Sequence, residues 1–135
     1  MTMDTLEGIW RLVESQAWDE HDRPLPAPYG AHPIGTLVLT QGRMLAALCN
    51  GDNDRADGSP RAYSSYGGVY RFREPTLEVI VDLASDRSRI GSTQVREVVL
   101  MDERRILLRP PRRQYGSAIQ RRELLWERAW TPGTP

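Results

Sequence analysis

The sequence predicts an all-β fold, a single antiparallel up-and-down β-barrel of about eight to ten strands around a central cavity. Three observations carry that expectation. Apolar and polar residues alternate with period two in short runs from end to end, clusters of Gly, Pro and Asp separate the runs, and no stretch holds a helical period for more than about two turns. A chain of 135 residues forms one domain with a sizeable core. Closure into a barrel is how short antiparallel strands lose their exposed edges.

Strands are expected near residues 8–17, 35–40, 43–49, 62–72, 77–84, 93–101, 105–109 and 121–128. Leu6-Glu7-Gly8-Ile9-Trp10-Arg11-Leu12 and Leu124-Leu125-Trp126-Glu127-Arg128 read as matching opening and closing strands. Thr40-Gln41-Gly42-Arg43 is a tight hairpin in which Gly42 is free to take positive φ. With Gln41 and Gly42 as its loop residues, Leu39 sits beside Met44 and Leu37 beside Ala46. Leu37, Leu39, Met44, Ala46 and Leu48 then share one face and are expected to line the interior. In Leu77 to Leu83, alternation points Leu77, Val79, Val81 and Leu83 inward, with Glu78 and Asp82 outward. Met101 to Arg105 reads as a further hairpin bend. The domain is expected to span residues 1–130, followed by a frayed tail at 131–135. Two segments are too long and too rich in breakers for turns: residues 19–34, with Pro24, Pro26, Pro28 and Pro33, and the polar stretch 50–61. Segments of this kind suit the mouth of a barrel.

Composition narrows the partners. Eighteen acidic and eighteen basic residues intermix at zero net charge, so no field favours nucleic acid or anionic lipid. No apolar run approaches the roughly 20 residues of a membrane span. The single Cys49 excludes an internal disulfide and is expected to be packed rather than reactive. The first residues lack a basic start and an apolar stretch, so a cytoplasmic location is expected. The chain has no lysine, which removes Schiff-base chemistry. There is no nucleophile elbow, phosphate loop or dinucleotide fingerprint, and no cofactor is expected. Metal is not expected either. The adjacent loop residues Asp19, Glu20, His21 and Asp22 cannot all converge on one ion. Asp52 to Gly58 fails as a calcium loop because Ala56 replaces a ligand and Tyr63 stands where the closing glutamate belongs.

The blocks Gly35-Thr36-Leu37-Val38-Leu39-Thr40, Gly42-Arg43-Met44, Tyr66-Gly67-Gly68-Val69-Tyr70 and Gly91-Ser92-Thr93-Gln94-Val95-Arg96 follow one another in a distinctive order. With the Gly8 to Trp10 opening and the Trp126-Glu127-Arg128 close, the chain resembles the lipocalin-like domain family of bacterial and fungal proteins over residues 6–128. That resemblance implies a barrel with a lumen suited to a small, mostly apolar or polyketide-like molecule. Barrels of this kind include passive carriers and cofactor-independent cyclases and isomerases. The chain departs from the family pattern in three places. Its 40–43 turn is about one residue short, its 50–61 segment is shorter than a helix-containing connection, and the strand 77–83 lacks a histidine.

Several residues are candidates for the site. In lipocalin-like barrels the early tryptophan usually plugs one end beneath an arginine of the last strand, which implies a structural plug of Trp10 and Trp126 with Arg128 or Arg11 as the stacked arginine; ligand stacking is the other reading. Tyr66, Gly68, Tyr70 and Phe72 share a face by parity, either lining a cavity with two hydroxyls or forming a packed wall. Val79 and Val81 complete the expected ligand-binding set. Alternation leaves open whether Arg96 or Glu97 points inward, and the family block favours Arg96. An inward guanidinium must be paired, either by a ligand oxygen or by a structural carboxylate such as Glu14, Asp82 or Glu127. His21 and His32 lie in the proline-rich loop, and His32 is the better placed to act as a base over the mouth. The expected function is cyclisation or isomerisation of the bound molecule. Arg96, Tyr66 and Tyr70 polarise an oxygen, and His32 or Glu97 moves a proton. The alternative is a non-enzymatic carrier or sensor of a similar hydrophobic ligand. Exposed Trp18 or Trp130 is a candidate contact for a homodimer.

Overall fold

A computed structural model describes residues 5–53, 61–115 and 117–133. Ten strands follow in order: β1 (Gly8–Trp18), β2 (Pro24–Leu25), β3 (Pro33–Thr40), β4 (Arg43–Asn50), β5 (Tyr63–Arg73), β6 (Thr76–Ala84), β7 (Thr93–Leu100), β8 (Arg105–Arg109), β9 (Arg113–Tyr115) and β10 (Ala118–Trp130). They pair in the order β2-β1-β3-β4-β5-β6-β7-β8-β10-β9, and β1 also pairs with β10. Eight long strands therefore form a closed antiparallel barrel, and β2 and β9 are short additions at one rim. Between β6 and β7 lies a single 3₁₀ turn, Arg87–Arg89. Among the described residues no helix is long and apolar enough to cross a membrane.

Local chemistry sets the register. Gln41 and Gly42 both take positive φ, 49° and 79°, as a two-residue hairpin of the type that follows strand twist requires. This turn pairs Leu39 with Met44 and Leu37 with Ala46, as the sequence predicts. Two bulges then change parity. On β1 the register shifts between Leu12 and Glu14, which keeps Glu14 outward beside Val13 and turns Ser15 and Ala17 inward. On β6 the partner of Gly68 is Val81 and the partner of Gly67 is Leu83, so Asp82 is the extra residue. The expectation that Leu83 faces inward is therefore corrected. Leu83 is exposed, and Ala84 packs against the core in its place. Gly68 permits this approach, because a Cβ there would collide with the Ile80 carbonyl.

The connections sort by barrel end. The tight turns at 41–42, 74–75 and 101–104 lie at one end, and the chain leaves β1, β4, β6 and β8 by longer connections at the other. The first end is sealed. Trp10 is 1% exposed, and its indole donates to the Leu6 carbonyl at 3.0 Å. The Arg128 guanidinium lies 4.2 Å above the ring and donates to the Glu7 and Thr5 carbonyls at 2.9 and 2.6 Å. Behind this seal Leu12, Leu39, Tyr70, Leu77, Val79, Val81, Val98 and Ile106 form a close-packed core. Half of the barrel is thus full, and the other half receives the longer connections.

Carboxylates outside the wall tie the turns together. Asp19 accepts from the Arg23 amide, Asp52 from the His32 amide, Asp82 from the Arg43 guanidinium and Asp102 from the Arg104 amide. Each is held below its ordinary value of 3.8, chiefly by that bond. Depressed values stabilise the native state above the unfolded-state pKa, and that contribution is lost as pH falls through the lower native values. Thermal unfolding is therefore expected to show a Tm that is level from neutral pH down to about 4 and falls below it. Chemical denaturation is expected to show a loss of about 1–3 kcal/mol for Arg128→Ala from its hydrogen bonds and ring contact. A similar or larger loss is expected for Gly68→Ala, from overpacking.

Candidate functional site

The unfilled half of the barrel holds a cavity of about 260 Å³. Its depth is apolar, lined by Leu37, Met44, Ala46, Leu48, Leu108, Leu124 and Trp126. Its outer part is polar, with Tyr29, Ser64, Tyr66, Asp86, Tyr115 and the arginines Arg89, Arg96, Arg113 and Arg122. Four arginines against one carboxylate give this space a positive charge that the chain as a whole, at zero net charge, does not have. A wider recess of about 770 Å³ lies outside the sealed end, against Trp10, Glu103 and Arg128. It is a surface hollow over the plug, whereas the smaller space is the lumen itself, with convergent polar groups above an apolar floor. That combination makes the lumen the candidate ligand site.

Arg96 points inward because β7 pairs Gln94 with Val79 and Arg96 with Leu77, two fully buried residues, and directly opposed residues share a face. Glu97 consequently points out. It binds Arg109 at 3.0 Å on the outer wall with its side chain 55% exposed. Glu97 is therefore corrected from a lumen acid to a surface ion pair. Gln94 organises the arginines inside. Its Oε1 accepts from Arg89 Nη2 and from Arg96 Nη2, each at 3.2 Å. Arg89 Nη1 also donates to Ser64 Oγ at 3.2 Å. The two guanidiniums lie 4.1 and 5.8 Å from the centroid of the Tyr66 ring. The two cations repel each other, while the ring face and the shared amide oxygen attract both. Across the mouth, Arg122 stacks 3.6 Å from the Tyr115 ring.

Tyr29 was not among the expected residues. The β1 bulge turns Ser15 inward, and the buried Ser15 hydroxyl accepts from the Tyr29 amide at 3.1 Å, pinning the proline-rich loop over the lumen. The Tyr29 hydroxyl shares a hydrogen bond with Ser64, and burial raises its pKa above the ordinary 10.0 against the opposing pull of Arg122. The phenol is thus a hydrogen-bond donor at neutral pH. Asp86 is held below its ordinary value of 3.8, first by the Ser88 hydroxyl, so it remains ionised.

Other expected residues fall elsewhere. Leu37, Met44, Ala46, Leu48 and Tyr66 line the cavity. Leu39, Tyr70, Val79 and Val81 sit in the packed core and Phe72 against it, so they support the wall without lining it. His32 is corrected outright. Its side chain is 82% exposed, and both its backbone and its ring bind Asp52, which ties it to the loop surface. His21 is likewise exposed beside Glu20. Trp10 and Arg128 form the plug, whereas Trp126, though 1% exposed, belongs to the cavity floor. Its indole Nε1 and the Nε of Arg89 are buried with no hydrogen-bond partner among the described residues. An unmet buried donor costs about 1–3 kcal/mol, so both are sites where an acceptor is missing. Trp18, a candidate dimer contact, is covered by Arg121 stacked 4.1 Å away. The calcium-like stretch falls mostly on residues 54–60, outside the described residues. Among the described residues no group of three metal-ligating side chains comes together.

The lipocalin-like domain family matches residues 7–129. The chain belongs to that family. Its barrel fits the binding of small hydrophobic molecules. No curated protein matches the chain. Similar solved structures include a redesigned β-barrel, 11% identical over 92% of this chain and 91% of that one with a TM-score of 0.45. A de novo designed fluorescence-activating β-barrel is 12% identical over 92% of this chain and 94% of its own, with a TM-score of 0.43.

The raised Tyr29 pKa is open to direct measurement. In an ultraviolet titration of the phenols, Tyr29→Phe is expected to remove a step that lies above free tyrosine at about 10. An unchanged high-pH step would show that Tyr29 is not buried at the mouth.

Proposed function

We propose that this lipocalin-like barrel binds one small molecule in the upper half of its lumen. The observation that carries this reading is the cavity itself, with its apolar floor and its polar, arginine-rich upper wall. At about 260 Å³ it is smaller than the roughly 300–1,000 Å³ of drug-sized sites. The ligand is accordingly compact, on the scale of a bicyclic or short-chain molecule rather than an extended polyketide. Its apolar body packs on Leu37, Met44, Leu108 and Trp126, and its polar end meets Arg96, Arg89 and Tyr66.

A second reading, conversion of that molecule without a cofactor, is favoured by one feature. Arg89 and Arg96, together with protonated Tyr29, form a donor cluster held in place before any ligand arrives. Such a cluster stabilises negative charge developing on a carbonyl or enol oxygen, and the closed walls hold a flexible chain in a reactive conformer. Cyclisation or isomerisation needs little more. The carrier reading requires only the pocket.

Native mass spectrometry after incubation with host extract tests the binding. The expected result is one retained small molecule per chain, lost in Ala46→Phe, whose added ring fills the cavity while the fold persists. Equal retention by Ala46→Phe would place binding outside the lumen. If the extract shows a metabolite replaced by an isomer of equal mass, Arg96→Ala is expected to slow that conversion about a hundredfold. Turnover left intact would remove Arg96 from any catalytic role.

A further inference from the structure

We propose that the lumen selects an organic anion, a compact molecule whose carboxylate or enolate lies between Arg89 and Arg96 and whose far end accepts a hydrogen bond from Trp126. This inference rests on the small-molecule reading above and specifies the ligand's chemistry.

Three independent features of the cavity lack the same partner. First, Arg89 and Arg96 meet only neutral acceptors among the described residues: both donate to Gln94 Oε1 at 3.2 Å, Arg89 also to Ser64 Oγ at 3.2 Å and Arg96 also to the Val95 carbonyl at 2.8 Å. Among the described residues no carboxylate lies within ion-pairing distance of either, or of Arg122, while Arg11, Arg43 and Arg109 on the outer wall each hold one. The one carboxylate of the cavity, Asp86, lies within Coulombic range of Arg89 and Arg113 without forming an ion pair with Arg89, so positive charge stays in excess; such an excess forms a site for an anion, and planar guanidiniums suit a two-oxygen group best. Second, the Nε of Arg89 is buried and unpartnered, so the shared glutamine does not exhaust its donors. Third, the indole N–H of Trp126 is also buried and unpartnered, in a side chain that forms part of the cavity floor. Every unmet group here is a donor. The complementary ligand is a set of acceptors, which an ionised carboxylate or enolate supplies at one end and an ether, carbonyl or phenolate oxygen at the other. Between them the wall is apolar, which fits an organic body and excludes inorganic phosphate as the main ligand.

Calorimetric titration with matched acid and amide pairs tests this: benzoate against benzamide, and 2-naphthoate against 2-naphthamide, at neutral pH. The members of each pair have nearly the same shape and differ in charge. The expected result is that the better-fitting carboxylate binds one per chain and at least about tenfold tighter than its amide. That margin is expected to shrink at high salt. Arg89→Gln combined with Arg96→Gln is expected to abolish the margin of each acid over its amide. Amides that bind as well as their acids would overturn the anion proposal and leave the small-molecule lumen standing. If no acid or amide binds a normally folded protein, both readings fall.

Discussion

The antiparallel pairing of β1 with β10, from Ile9 opposite Trp130 to Trp18 opposite Arg121, removes both edges of the sheet and makes an interior possible. Trp10 and Arg128 hold that seam at its lower end. The ring is buried under the guanidinium, which in turn caps the Thr5 and Glu7 carbonyls of the entering chain. With one end sealed by a large side chain and its hydrogen bonds, the core behind it packs fully. Among the described residues the cavity lies toward the opposite end. Position of the site is thus a consequence of closure rather than a property of the site residues.

What occupies the open half follows from backbone irregularities. The bulge at Val13 turns Ser15 inward to hold Tyr29, and the bulge at Asp82 lets β6 close against two glycines of β5. Together they bring a loop, a 3₁₀ turn and three strands to one rim. The arginines gathered there are stabilised by Tyr66, Tyr115 and Gln94, groups that tolerate a cation without neutralising it. A protein whose overall charge is zero therefore carries a concentrated positive centre inside. Arrangements that keep like charges together and donors unmet cost stability, and such costs cluster where ligands bind.

Much of the fold was legible because the signals are local. The Gln41–Gly42 turn fixes register by itself and groups Leu37, Leu39, Met44 and Ala46 on one face, even though Val38 and Leu45 on the other face are apolar too. Parity arguments failed where the backbone breaks period two. Leu83 lies just past a bulge that no residue type announces, and the inward turn of Ser15 depends on one as well. Arg96 and Glu97 could not be separated by alternation, since valines stand on both faces; cross-strand pairing with Leu77 decided between them. Tyr29 and Arg89 were missed because they come from connections, where spacing carries no directional information. Their placement depends on partners distant in sequence, Ser15 for Tyr29 and Ser64 and Tyr66 for Arg89. His32 stood near the mouth in sequence, yet Asp52 claims both its backbone and its ring.

Tryptophan indole resonances offer the most direct view of whether the upper lumen is the site. The chain has four tryptophans, and two of them report on the two sides of the packed core: Trp10 in the plug and Trp126 in the cavity floor. On titration with 2-naphthoate, the Trp126 Nε1–H resonance is expected to shift and to exchange more slowly with water, while the Trp10 resonance stays in place. A shift confined to Trp10, with Trp126 unmoved at saturation, would put the ligand in the outer recess and contradict a lumen site.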